Sequence, residues 1–195
     1  MGQYYLVANM DKREVLQVKG RFPGKKLLEI AETAIASQAI LNQLAWRWKA
    51  DYVYLIGDYA DLEYASHQYY QTLRDWTDKF HLTDSLYYYV QENFQPVEGN
   101  TEDQGYRFVY NHMTKEYIDM AHCPRCCDGT DWRQGFIAPL PLLIAMGNGC
   151  GSGDYRGLPN EHLVGTWCDS ITAVEIKKEP DDSLGYKEFH PDFRY

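Results

Sequence analysis

Twelve residues near the start of the chain return without a gap past its middle: YLVANMDKREVL from Tyr5 and RFVYNHMTKEYI from Arg107. Val7 aligns with Val109, Asn9 with Asn111, basic Arg13 with basic Lys115, and Glu14 with Glu116. Each segment joins two β-prone runs through a polar stretch, the pattern of a β-hairpin. Each is followed later by a tryptophan, an aspartate and an apolar run, Trp48 to Ile56 and Trp167 to Ile176. This arrangement predicts an α+β fold, with a mixed or antiparallel sheet and helices between the halves. Two accounts of the match stay open: an internal duplication with a pseudo-two-fold axis, or chance similarity of two hairpins. At 195 residues, a single domain spanning 1–195 is the default. Under duplication the halves are 1–95 and 106–195. The joining linker is 96–105, PVEGNTEDQG, which is polar and rich in chain breakers.

Between the hairpins the periodicity turns helical. Leu27, Ile30, Ala31, Ala34, Leu41, Leu44, Ala45 and Trp48 keep three- and four-residue spacing. Asp51–Gly57, DYVYLIG, reads as a buried strand. Tyr69, Leu73, Trp76 and Phe80 predict a second helix, and Thr83 or Asp84 is placed to cap a third carrying Leu86, Tyr89 and Val90. Phe189 and Phe193 are the residues that would dock the polar C-terminal stretch.

The net charge of −9 argues against a protein that grips a nucleic-acid backbone, which is ordinarily basic. No stretch approaches the roughly 18 apolar residues of a membrane helix. The N-terminus lacks a basic region followed by a long apolar run. The five cysteines all fall between Cys123 and Cys168, an odd number in a narrow window, which favours a reducing compartment over a disulfide framework. The expectation is a cytoplasmic protein with no nucleic-acid or membrane partner.

Several pieces together resemble a family of bacterial, phage and fungal proteins. They are MGQYY, Asn9 with Lys12 and Glu14, GDYAD at Gly57–Asp61, PLPLL at Pro139–Leu143, GNGCGSGDYRG at Gly147–Gly157, and VGTW at Val164–Trp167. The resemblance implies one whole-chain unit and brings no established activity. It also implies that the Cys150 position is often not cysteine, which counts against an essential thiol there.

The glycine-rich stretch is the densest chemical signal. Gly147, Gly149, Gly151 and Gly153 alternate with Asn148, Cys150 and Ser152, and Asp154, Tyr155 and Arg156 follow. Alternating glycines let successive N–H groups converge on an anion. Asn148 and Ser152 add donors, and Arg156 offers a guanidinium fork. Gly147, Asn148, Gly149, Gly151, Ser152, Gly153, Asp154, Tyr155 and Arg156 are therefore the ligand-binding candidates, with Tyr59, Tyr155 and Trp167 available to stack on a ring. Neither a Walker loop nor a dinucleotide fingerprint fits the spacing. Cys150, Gly153 and Arg156 do match the C-x-x-G-x-x-R spacing of cysteine-dependent phosphatases, but no helical pattern follows Arg156 and Asp154 would sit inside the cradle. The alternative is an irregular loop between two strands.

Asp58, Asp61 and Asp154 would form a carboxylate cluster for a divalent metal or acid–base work if the two halves face each other. Turn chemistry explains Gly-Asp pairs equally well. Asp58, Asp154 and Cys150 are the candidate catalytic residues. In HCPRCC, His122, Cys123, Cys126 and Cys127 offer a C-x-x-C pair of zinc-knuckle spacing without a second pair, so structural zinc and ordinary loop cysteines both remain. His112, Cys150, His162 and Cys168 are further donors that would close such a site.

Two functions follow as expectations. One is a soluble binding protein, or an enzyme, whose glycine-rich pocket takes a phosphorylated or nucleotide-like small molecule. The other is a non-catalytic protein that binds or inhibits another protein. In a phage setting, which only the resemblance suggests, either activity would act against host defence.

Overall fold

A computed structural model of the chain describes residues 2–18, 25–123, 137–147 and 154–194. In chain order these form β1 (Tyr5–Asn9), β2 (Glu14–Gln17), α1 (Leu27–Glu32), α2 (Ala34–Ala45) and β3 (Val53–Gly57). Next come α3 (Tyr70–Lys79), α4 (Leu86–Asn93), β4 (Gln95–Glu98), β5 (Phe108–Asn111) and β6 (Glu116–Asp119). Last are α5 (Pro139–Leu143), β7 (Ala145–Met146), β8 (Val174–Lys177) and β9 (Lys187–Glu188), with short 3-10 turns between. The fold is α+β, as the sequence predicts.

Two mixed sheets organise it. The first has the order β4-β2-β1-β3-β7 and the second β8-β5-β6-β9. The strands the sequence aligns do the same work in each. β1 and β2 form an antiparallel hairpin with Asn9 opposite Glu14, and β5 and β6 form another with Asn111 opposite Glu116. The third strand pairs antiparallel with the first in both sheets, setting Asn9 against Val53 and Asn111 against Val174. A late strand then adds in parallel to the outer hairpin strand, with Gln95 beside Glu14 and Lys187 beside Glu116. Even the turns agree. Arg13 and Lys115 both adopt left-handed φ, 52° and 58°, and their carbonyls accept the first N–H of β4 and of β9. Among the described residues β7 has no counterpart in the second sheet.

Asn closes each hairpin. Asn9 Oδ1 accepts the N–H groups of Asp11 and Lys12 at 3.0 and 2.8 Å. Asn111 Oδ1 accepts those of Met113 and Thr114 at 3.1 and 3.2 Å. Such side-chain turns hold the backbone without strand hydrogen bonds. Both asparagines are fully buried. One continuous buried cluster takes Leu6, Val7 and Leu55 from the first sheet and Val109, Ile118 and Ile176 from the second. Trp48, fully buried, carries its indole N–H to Glu14 Oε2 at 2.7 Å.

Four local departures have physical reasons. The helical run from Leu27 breaks at Thr33, whose backbone is extended, because the Ala31 carbonyl accepts the Ala138 N–H at 2.9 Å instead of continuing the helix ladder. Ser85, rather than Thr83 or Asp84, caps α4 by accepting the Tyr87 N–H at 3.2 Å. Pro96 to Glu98, read from composition as linker, belong to β4. That strand lies at the sheet edge, where proline's missing N–H breaks no ladder. PLPLL is a single helical turn with prolines in its first residues, where free N–H groups would have no partner anyway. Only the two residues of β7 are strand before the glycine-rich segment.

Ion pairs tie the ends of these elements together. Arg47 pairs with Glu14, and hydrogen bonding to that guanidinium holds the Glu14 carboxyl below its usual range despite burial. Burial pushes Glu175 up, but hydrogen bonds from Lys49, Lys177 and His112 outweigh it and leave the carboxyl lowered. Lys177 also lowers Asp181. A lowered folded pKa gives stability that is complete above the unfolded value and is lost as pH falls through the folded one. Urea melts should therefore weaken progressively below about pH 4.5, the ordinary glutamate value. Glu14→Gln should show a shallower acid loss than the parent. An unchanged slope would remove Glu14 from the acid response.

Candidate functional site

The carboxyl ends of the parallel neighbours β3 and β7 lie side by side, and the amino end of antiparallel β1 adjoins them. Loops leaving neighbouring parallel strands at this edge commonly form ligand sites in open sheets. Here the outgoing segments are 58–69 after β3 and the glycine-rich stretch after β7.

Gln3 closes the edge from below. It is fully buried, and Tyr5 Oη donates to its Oε1 at 2.6 Å. Its Nε2 is buried without a hydrogen-bond partner among the described residues. Gly147 turns the chain here with φ 110°. A Cβ on it would stand 3.2 Å from both Gln3 Oε1 and Gly57 Cα, so only glycine fits the junction.

Asp58 sits just past β3, half-buried. It exchanges hydrogen bonds with Tyr4: its Oδ1 accepts the Tyr4 N–H at 3.1 Å, and its own N–H reaches the Tyr4 carbonyl at 2.9 Å. Burial raises its carboxyl, opposed by backbone hydrogen bonds at Tyr4, Asp58 and Tyr59. Burial, and then the Asp58 charge, raise the neighbouring Tyr87 phenol.

A polar groove of about 530 Å³ opens between residues 66–69 and residues 158–164. One wall is Ser66, His67, Gln68 and Tyr69; the other runs from Leu158 through Asn160, Glu161 and His162 to Val164. Gln68 Nε2 donates to the His162 carbonyl at 3.1 Å and ties the walls together. That bond fixes which end of the carboxamide is oxygen. Gln68 Oε1 is left buried with no partner among the described residues. Tyr69 is buried, and burial raises its phenol against hydrogen bonds from the backbone at Ser66 and Gly147. Gly157 donates to Glu161 Oε2 at 2.7 Å and so joins the end of the glycine-rich stretch to the groove. A second groove, of about 370 Å³ and mainly apolar, lies against Ile35 and Leu41 of α2.

Of the loop residues singled out from sequence, Asn148, Gly149, Cys150, Gly151, Ser152 and Gly153 lie outside the described residues. Gly147 stands at the strand edge. Asp154 is buried at 4% exposure, and Arg156 is exposed. Tyr155 turns inward. Its ring packs edge-on to Phe193 at 5.0 Å, and its hydroxyl reaches the Pro159 carbonyl at 2.6 Å and receives the Arg194 N–H at 2.9 Å. It is fully buried and anchors the C-terminal residues. Trp167 is likewise buried, against Phe189, and Tyr59 alone of the three stacking candidates is exposed. Asp58, Asp61 and Asp154 do not bring three ligand atoms within 4.8 Å of one another.

Of the zinc candidates, Cys126 and Cys127 lie outside the described residues. His122 and Cys123 follow β6. Cys123 is half-buried, and burial, then Asp119 and Glu188, push its thiol up to about 12. Cys168 is fully buried with its thiol raised by desolvation, and both His112 nitrogens face Tyr186 and Glu175.

Ser66 and Gln68 carry no motif; their one sequence signal is position, in a polar stretch between a buried strand and an amphipathic helix. Tyr69 enters the sequence reading only as a helix position, and Gln3 only as part of MGQYY. No helix among the described residues is long and apolar enough to cross a membrane. Compared with known proteins, the chain matches no family, no curated protein and no solved structure.

Proposed function

We propose that the protein binds a phosphorylated or nucleotide-like small molecule in the groove between residues 66–69 and 158–164. The observation that carries this reading is Gln68. Its amide is spent on His162, while its oxygen is buried and unpartnered. An unsatisfied buried acceptor costs about 1–3 kcal/mol, which a ligand donor would recover. A fully ionised phosphate ester has no such donor; a sugar hydroxyl or a base amino group has. The imidazoles of His67 and His162 are the donors suited to an attached phosphate.

A panel of nucleosides, nucleotides and sugar phosphates, read by thermal shift and calorimetry, tests it. A ligand carrying both a hydroxyl or amino donor and a phosphate should stabilise the protein. Gln68→Leu should bind it about tenfold or more weakly while remaining as stable as the parent. Asp58→Asn, which keeps an acceptor for Tyr4, would then separate binding from turnover.

A second reading rests on exposed aromatics. Tyr4 and Tyr59 flank Asp58 at 47% and 42% exposure, and Trp46 is 83% exposed. Exposed tyrosine and tryptophan are common anchors for protein partners. A silent panel, together with a partner whose capture is lost in Tyr59→Ser, would replace the small-molecule reading with this one.

A further inference from the structure

At the far end of the second sheet, β9 adds in parallel to β6 with Tyr117 beside Glu188. This register carries Glu188, and His190 two residues on, to the place where the chain leaves β6. His122 Nδ1 lies 2.6 Å from Glu188 Oε1 and 3.6 Å from Asp119 Oδ2. Ligand atoms of these three residues all fall within 4.8 Å of one another, the one such group among the described residues. His190 Nδ1 is 3.6 Å from the same Glu188 oxygen, and the two imidazole rings are 6.2 Å apart.

We propose that Asp119, His122, Glu188 and His190 form a binding site for a divalent transition-metal ion of the zinc type, apart from the groove described above. A tetrahedral ion with ligands at about 2.1 Å needs donor atoms about 3.4 Å apart. Two of the three separations lie near that value. The short His122–Glu188 contact is a hydrogen bond in which the ion takes the proton's place. Both imidazoles are more than half exposed and turn without disturbing the core. Asp119 is the fixed member. Arg107 holds it in a two-pronged pair at 2.6 and 2.5 Å, and the Ala121 N–H adds a third bond. A carboxylate has lone pairs beyond these, and outer partners of this kind orient a ligand. Two imidazoles with two carboxylates suit zinc, cobalt and nickel better than calcium or magnesium. The donors come from Asp119 to His122 and from Glu188 to His190, so the ion would clamp the C-terminal strand to the second sheet.

Cobalt titration of the metal-stripped full chain, followed optically and by calorimetry, tests the site. The expected result is one tight site whose spectrum lacks thiolate-to-cobalt charge-transfer bands. Binding should weaken by more than about tenfold in Glu188→Gln and in His190→Ala. Both residues lie at an edge, so the variants should fold, and a urea melt without metal checks this. Zinc should raise the parent's melting temperature and leave that of the double variant unchanged. Thiolate bands with binding that survives both substitutions would assign the metal to the cysteines and overturn the proposal. So would the absence of saturable binding.

Discussion

Gly165→Ala is expected to destabilise the protein by about 3 kcal/mol and to displace the Tyr69 wall of the proposed ligand groove. Gly165 has φ 80°, and a left-handed backbone costs an L-residue about 1–2 kcal/mol. A Cβ there would also stand 2.7 Å from Tyr69 Cδ1 and 2.8 Å from the Ala145 carbonyl oxygen. The second contact is with backbone of β7, so it is not relieved by a rotamer change, and forced overpacking adds about 1–3 kcal/mol. Tyr69 is the softer neighbour and would move. It lines the groove. Gly157→Ala supplies the control. Its φ is 69°, yet among the described residues nothing lies within 4 Å of the added carbon. It should cost only about 1 kcal/mol, the strain alone. Urea denaturation of both variants isolates the collision. Equal losses would mean that the Tyr69 wall yields freely and that the groove is not held by this packing.

Legibility from sequence followed the range of the interactions. The two hairpins were readable because alternation, turn residues and capping asparagines all act within a dozen residues. α3 and α4 were readable from apolar spacing for the same reason. The break at Thr33 was not, since its cause is the Ala138 N–H, remote in the chain. β4 hid inside a breaker-rich stretch because an edge strand tolerates Pro96, and composition does not record which strand is an edge. The glycine-rich stretch follows β7. It did not reveal that Tyr155 is anchored by the C-terminal residues, because that needs Phe193 and Arg194 to be adjacent. Gln68 has no sequence signature and MGQYY gives Gln3 no role, since a glutamine becomes informative only when one end of its amide is spent and the other is buried. The same holds for Glu188 and His190, whose meeting with His122 depends on the parallel register of β9.

The paired asparagines allow a test in which one substitution has opposite consequences in two equivalent turns. Asn9 Nδ2 donates to the Asp51 carboxylate at 2.7 Å, whereas Asn111 Nδ2 donates to the Ser170 hydroxyl at the same distance. Asn9→Asp sets two carboxylates face to face, and such a pair cannot both ionise cheaply, even with Lys12 bound to Asp51. A loss of about 3 kcal/mol at neutral pH is expected. The introduced carboxyl would have a raised folded pKa. Its stability is therefore present below the unfolded value of about 3.9 and lost as pH rises through the folded one, so the deficit shrinks in acid. In Asn111→Asp the Ser170 hydroxyl can rotate to donate, and the N–H groups of Met113 and Thr114 already point at the oxygen. A carboxylate accepting three hydrogen bonds has a lowered pKa, so its stability is present above about pH 3.9 and lost as pH falls. Asn111→Asp should be milder than Asn9→Asp by about 2 kcal/mol at neutral pH, and its deficit should grow in acid. Urea melts of both variants between acid and neutral pH decide the matter. Slopes of the same sign would mean that the two turns, alike in backbone and register, do not differ in the partner that sets their electrostatics.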